Sequence, residues 1–180
     1  YAYTMAHPGK KLLFMGSEFG QFIEWKYNQS LDWFLLDFEA HEQLHQFTRT
    51  LNHFYLAHEQ LWEIDDGWDG FEWLNVSDDI HSMIAFVRRS KAGKPMVCIF
   101  NFTPVPWDGD YRLGVPGPGT YTQIFSSDDA CYGGTGQWDN KPLEAEREFW
   151  NARDWSVALR IPPYAALLFT YEPAADMEGE

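Results

Sequence analysis

The sequence predicts a mainly β protein: an antiparallel β-sandwich preceded by a shorter segment holding one strand and one long helix. Two observations predict it. Seven short runs rich in β-branched and aromatic residues lie between residues 71 and 171, separated by Gly, Pro and Asp. A single stretch before them, near residues 37–62, repeats apolar side chains at spacings of three and four. Apolar residues make up 45% of the 180, enough for a packed core, so the chain is not disordered for most of its length.

The elements follow in order. Tyr1-Ala2-Tyr3-Thr4-Met5 reads as the tail of a helix, without an initiator Met, which points to a fragment. Pro8-Gly9 breaks it. Lys11-Leu12-Leu13-Phe14-Met15, closed by Gly16, fits a strand buried on both faces. Ser17 to Trp33 has no clear period and reads as a long, aromatic, functional loop. Asp37 is placed to cap a helix of about 24 residues ending near Trp62. Its stripe is Leu44, Phe47, Leu51, Phe54, Tyr55, His58, Leu61 and Trp62, and Gly67 and Gly70 end the region.

Strands are expected at 71–76, 81–89, 96–102, 111–115, 120–126, 156–161 and 165–171. Ser77-Asp78-Asp79 and Lys91-Ala92-Gly93-Lys94 make hairpins of the first three. The stretch from Asp128 to Trp155 reads mostly as loop. The expected division is residues 1–66, residues 67–172 as the all-β sandwich, and residues 173–180 as an acidic tail.

Charge narrows the function classes. Lys and Arg number 13 against 27 Asp and Glu, a formal charge of −14. An acidic surface repels phosphate backbones, so nucleic acid and anionic membranes are excluded as partners. No apolar run approaches the roughly 20 residues that span a bilayer. Two cysteines make no disulfide framework, and a reducing cytoplasm is the expected compartment. Aromatic residues reach 18%, with nine Trp, and their use has to be explained.

His41-Glu42-Gln43-Leu44-His45 matches the H-E-x-x-H pattern of zinc hydrolases, with Glu63 as a conceivable third ligand. The helical wheel opposes it: His45 lies roughly 140° from the centre of the apolar stripe, with His41 at the stripe's edge. Two solvent-facing helix histidines and no metal are expected. Glu18, in the turn Gly16-Ser17-Glu18-Phe19-Gly20-Gln21, has two readings: a group facing a site, or a rim Glu that pairs with a neighbouring strand's Arg. Trp25, Tyr27 and Trp33 offer ring faces that suit the C–H-rich face of a glucose ring, with Glu24 and Asp32 beside them for hydroxyls. Trp33 reads as a loop anchor, Trp25 as the better sugar contact. In the sandwich, Phe71 and Trp73 share a strand face and read as core. No phosphate loop, nucleophile elbow or C-x-x-C occurs.

Together these motifs resemble a known family. Residues 6–21, Ala6-His7-Pro8-Gly9 through Gly16-Ser17-Glu18-Phe19-Gly20-Gln21, are similar to the last barrel strand of bacterial glycogen branching enzymes, members of the alpha-amylase superfamily. Glu24-Trp25 and Ser30-Leu31-Asp32-Trp33 resemble the loop after it. Gly70-Phe71-Glu72-Trp73-Leu74 and Asn101-Phe102-Thr103-Pro104-Val105-Pro106 resemble the C-terminal domain. The resemblance implies the last strand and last helix of a (β/α)8 barrel followed by the C-terminal β-sandwich. It implies a retaining enzyme that cuts an α-1,4-glucan and rejoins it at a glucose 6-hydroxyl. The reacting carboxylates of that chemistry lie on earlier barrel strands, so no catalytic residue is assigned in this chain. Trp25, Glu18, Tyr27 and Asp32 are the expected glucan-binding residues. No cofactor or metal is implied. The expected partners are α-glucan and the rest of the barrel, and the open edges of an orphaned strand point to self-association. A glucan-binding sandwich module and a sibling enzyme are the alternatives, the sibling being a maltooligosyltrehalose trehalohydrolase or a debranching enzyme. Ser30-Leu31-Asp32-Trp33 favours the branching enzyme.

Overall fold

A sheet buried on both faces organises the molecule. In the computed structural model, which describes residues 1–174, strand β3 (Pro95–Asn101) is almost entirely buried. Its side chains alternate between two cores: Val97 and Ile99 enter one, Met96, Cys98 and Phe100 the other. Period two on a doubly covered sheet requires the continuous apolar run Met96–Phe100. The remaining strands are β1 (Phe71–Asp78), β2 (Met83–Arg89), β4 (Trp107–Val115), β5 (Gly119–Ser126), β6 (Leu143–Glu144), β7 (Trp155–Ile161) and β8 (Ala166–Pro173). Six pair in the order β1-β2-β3-β8-β5-β6, while β4 and β7 form a separate pair. All pairings are antiparallel.

Between the two sheets lie Leu113, Val115, Val157, Leu159 and Ile161 from the small one and Met83, Ala85, Val97, Leu167 and Phe169 from the large one. The opposite face of the large sheet is covered by helices. Helix α1 (Ala2–Ala6) and helix α2 (Glu39–Ala57) bring Ala2, Met5, Ala6 and Leu51 against Phe71, Phe86, Phe100, Phe125 and Leu168. Burying each Leu or Phe here contributes about 1.5–3 kcal/mol before entropy is counted. Helix α2 therefore docks on the sandwich of its own chain.

All seven expected strands form, and the first three are hairpins as expected. The eighth, β6, falls inside the stretch expected to be loop. It is two residues long and pairs Tyr121 with Leu143 on the edge of β5.

Three expectations before residue 67 are corrected. Lys11–Met15 is not a strand, and Leu12 is 76% exposed rather than buried. A doubly buried strand needs a hydrogen-bonded neighbour on its edge and a layer on each face, and this run has no ladder partner among the described residues. The helix is shorter than expected, 19 residues from Glu39 to Ala57. Asp37 does not cap it: Asp37 closes a 3-10 turn, Trp33–Asp37, and Phe38 takes the N-cap position without a side-chain hydrogen bond. His58 ends α2 in extended conformation, with its Nδ1 2.7 Å from the Phe54 carbonyl oxygen. Leu61 reaches the core from a separate 3-10 turn, Glu59–Leu61. Residues 175–180 of the expected acidic tail lie outside the described residues.

Candidate functional site

The loop between α1 and α2 carries the sugar-binding candidates. Its first turn is tight. Gly16 has φ 83°, and a Cβ there would come within 2.9 Å of Gln21 Cβ, so glycine is required. The 3-10 turn Ser17–Phe19 follows and buries Phe19 completely. Gln21 ties the loop's two ends together: its backbone N–H donates to the Gly16 carbonyl at 3.0 Å, and its Oε1 accepts the Asp32 N–H at 2.8 Å. Trp33 packs on Phe19 with centroids 5.0 Å apart, the anchor that the sequence suggests.

Trp25 stands out from this frame. Its φ is 60°, a left-handed conformation that bulky side chains seldom adopt. The ring leans on Phe14 at 4.6 Å and remains 71% exposed. Tyr27, whose N–H donates to the Trp25 carbonyl at 3.0 Å, is 89% exposed. Two open ring faces two residues apart, with Glu24 adjoining Trp25 in the chain, can stack on sugar rings and bind their hydroxyls. They offer binding groups and no nucleophile–acid pair.

Glu18 is placed differently. It is half-buried against α2, in a hollow of about 240 Å³ with His45, Thr48, Arg49, Asn52 and His53. That lining does not include Trp25, Tyr27 or Asp32. Of the four expected glucan residues, Trp25 and Tyr27 stand open on the loop, Asp32 is half-buried at its end beside Gln21, and Glu18 faces the helix.

The histidine pair is partly corrected. Both rings are half-buried rather than solvent-facing. His41 Nδ1 lies 2.7 Å from the Phe19 carbonyl oxygen, and its ring meets Phe22 edge-on at 5.2 Å. His41 thus fastens the loop to α2. His45 approaches Glu42 at 3.8 Å. Among the described residues no group of three or more His, Cys, Asp or Glu is arranged to hold a metal. No described helix is long and apolar enough to cross a membrane.

Two antiparallel sheets packed face to face, with a helical segment covering the outer face of the larger one, define the class: an all-β sandwich domain. Residues 73–172 match the model of the alpha amylase C-terminal all-beta domain, and the chain belongs to that family. It is also similar to proteins named 1,4-alpha-glucan branching enzyme GlgB. The one from Halothermothrix orenii is 45% identical over 170 residues, 94% of this chain and 27% of the relative. The one from Aquifex aeolicus is 41% identical over 173 residues, 96% of this chain and 27% of the relative. The chain thus spans about a quarter of the length of these relatives. The solved structure of an isomaltulose synthase from Erwinia rhapontici covers 72% of this chain and 18% of its own, with TM-score 0.43 and 14% identity.

Proposed function

We propose that this chain is the C-terminal part of a 1,4-alpha-glucan branching enzyme, and that it lacks the catalytic carboxylates. The observation that carries this reading is the 45% identity to a branching enzyme across 94% of the chain, including the aromatic loop. In the complete enzyme, residues 1–66 finish a (β/α)8 barrel and residues 67–172 form the domain behind it. The run 11–15 becomes a barrel strand once neighbouring strands supply its hydrogen bonds. Leu12, Phe14, Phe22, Ile23, Phe34 and Phe38 are exposed on one continuous stretch of chain and are the surface that the rest of the barrel covers. In the isolated segment the same surface drives self-association.

The chemistry is a double displacement. A carboxylate on an earlier strand attacks the anomeric carbon, a carboxylic acid protonates the leaving glycosidic oxygen, and a glucan 6-hydroxyl then displaces the enzyme. This chain holds substrate for that reaction: Trp25 and Tyr27 stack on glucosyl rings, and Asp32 accepts hydroxyl hydrogen bonds. Glu18 braces the loop from the α2 side. The protein works in the cytoplasm on glycogen and amylose-like chains.

Iodine staining of amylose tests the reading. The 180-residue chain alone should leave the blue amylose complex unchanged. The same chain joined to its upstream barrel should shift the stain toward red and raise the count of α-1,6 linkages. Branching by the segment alone would overturn the assignment, as would a complete protein that only hydrolyses amylose.

A further inference from the structure

A second cleft opens on the far side of the large sheet from the Trp25 loop. It lies where edge strand β1 meets edge strand β4, and has a volume of about 500 Å³, within the usual range for a ligand site. Both strands are irregular at this point. The β1 register slips on either side of Asn75, and the β4 register slips between Asp108 and Tyr111. Such bulges re-aim side chains, and here they converge. Asn75 Nδ2 donates to the Tyr111 hydroxyl at 2.9 Å, which donates to Asp78 Oδ2 at 2.8 Å. His81 Nδ1 lies 2.7 Å from Asp78 Oδ1, and the His81 ring stands edge-on to Trp107 at 4.9 Å.

The opposite wall is a built hairpin. Asn151 and Ala152 both have positive φ, 48° and 59°, the two-residue turn that reverses a β-strand. Trp150 and Arg153 close it with two backbone hydrogen bonds of 2.9 Å. Its tip is docked on β4: Asn151 Oδ1 accepts the Gly114 N–H at 3.0 Å, and a Cβ on Gly114 would meet the Trp150 carbonyl oxygen at 2.1 Å. A rigid turn in this position holds Phe149, 69% exposed, and Trp150 at the cleft rather than in a core.

We propose that this cleft is a binding subsite for an α-1,4-linked glucan segment. It rests on the reading of the chain as part of a glucan enzyme and adds a second contact, on the opposite side of the large sheet from Trp25. Phe149 and Trp150 supply ring faces for glucosyl residues. Asp110 accepts hydroxyl hydrogen bonds, and the Arg112 guanidinium, held by Ser156 Oγ at 2.9 Å and Glu146 Oε2 at 2.7 Å, is a fixed part of the wall. A neutral, hydroxyl-rich ligand suits a wall of aromatic rings flanked by charges of both signs.

The test is a titration of the 15N-labelled 180-residue chain with maltohexaose, followed by the indole and backbone amide resonances. Saturable shifts at Trp150, Asn151 and Trp107 are expected, retained in Trp25→Ala. Phe149→Ala should weaken that response about tenfold, the effect of losing one stacked ring. Phe149 projects into solvent, so this variant keeps the sandwich spectrum even where Trp150→Ala disturbs the turn. Shifts confined to the Trp25 loop, an unchanged response in Phe149→Ala, or no saturable shift at tens of millimolar sugar would each overturn the proposal. Branching activity is read separately from the complete enzyme. A silent cleft with active branching removes this subsite alone, and a responsive cleft without branching leaves a glucan-binding sandwich.

Discussion

Arg88 on β2, with no solvent exposure, donates from Nη2 to Asp65 Oδ1 at 2.7 Å. The same guanidinium donates to the carbonyl oxygens of Ala6 at 2.6 Å, Gly70 at 3.2 Å and Ile64 at 3.4 Å. One side chain therefore satisfies the end of α1, the segment before β1 and an acidic side chain, all around a charge withdrawn from water. A planar group with five donors fits this duty and an ammonium does not. Replacing Arg88 by Met keeps the bulk and strands four acceptors. Removing one partner of a buried pair costs about 3–5 kcal/mol, and a loss of that size is expected in urea unfolding. Arg88→Lys should recover only part of it. A change below about 1 kcal/mol would mean the network is incidental.

Gly70 belongs to the same joint. A Cβ at this position would lie 2.2 Å from the Ile64 carbonyl oxygen, which Arg88 also engages. Backbone has to move to admit it, at a cost of about 1–3 kcal/mol for overpacking. Gly70→Ala should lower the urea midpoint, and combined with Arg88→Met it should cost less than the sum, because both act on one contact. Strict additivity in that double-mutant cycle would separate the two.

Glu72 on β1 sets an acid limit. Partial burial pushes its carboxyl upward, but hydrogen bonds and charge from Arg153 and Arg89 outweigh burial and hold it below the ordinary value of 4.5. The Arg89 contact is 2.6 Å, and Arg153 bonds the other oxygen. A lowered folded-state value contributes stability that is present above pH 4.5 and is lost as pH falls through the folded value. The group is about a third exposed, so solvent screening keeps the effect near the surface-pair range, under about 1 kcal/mol. Urea midpoints of the wild type and Glu72→Gln should differ at pH 7 and converge in acid. A constant gap across that range would show that the pair does not titrate with folding.

The two thiols should react on separate timescales. Cys98 is buried in β3 facing the helices, and desolvation pushes its thiol far above the usual range, against a smaller opposite pull from Arg88. Cys131 is exposed. The thiolate is the reactive form, so an alkylating reagent should label Cys131 quickly and Cys98 only at the rate of opening. Equal labelling of both in the native protein would contradict the packing of α1 and α2 on this sheet.

Local chemistry accounts for what could be read before the structure. The seven strands were legible because turn residues punctuate them and the hydrophobic runs match period two. β6 has two residues and leaves no periodic trace. Lys11–Met15 misled because an apolar run of four, Leu12 to Met15, specifies hydrophobicity and not a hydrogen-bonding partner. The role of Arg88 was hidden, since its four acceptors come from positions 18 to 82 residues away. The β1–β4 cleft was hidden for a related reason. Its turn uses Asn151-Ala152 where Asn-Gly would have announced it, and its bulges arise from pairing geometry that one strand alone does not encode.

Trp25 separates a binding role from a packing role. Its ring touches Phe14 and is otherwise open, while the loop is held by Phe19, Gln21, Trp33 and His41. Deleting a largely exposed side chain usually moves stability by no more than about 0.5 kcal/mol, and relief of the left-handed strain does not add to that cost, because alanine tolerates the conformation no worse than tryptophan. In the complete enzyme that we propose, Trp25→Ala should therefore keep its melting temperature within about 2 °C and lose several-fold in activity on amylose. The loss should grow with chain length, since longer chains engage more ring faces. A melting temperature that falls with activity unchanged would make the ring a structural prop, and its exposure would then mark a contact with the barrel instead of with sugar.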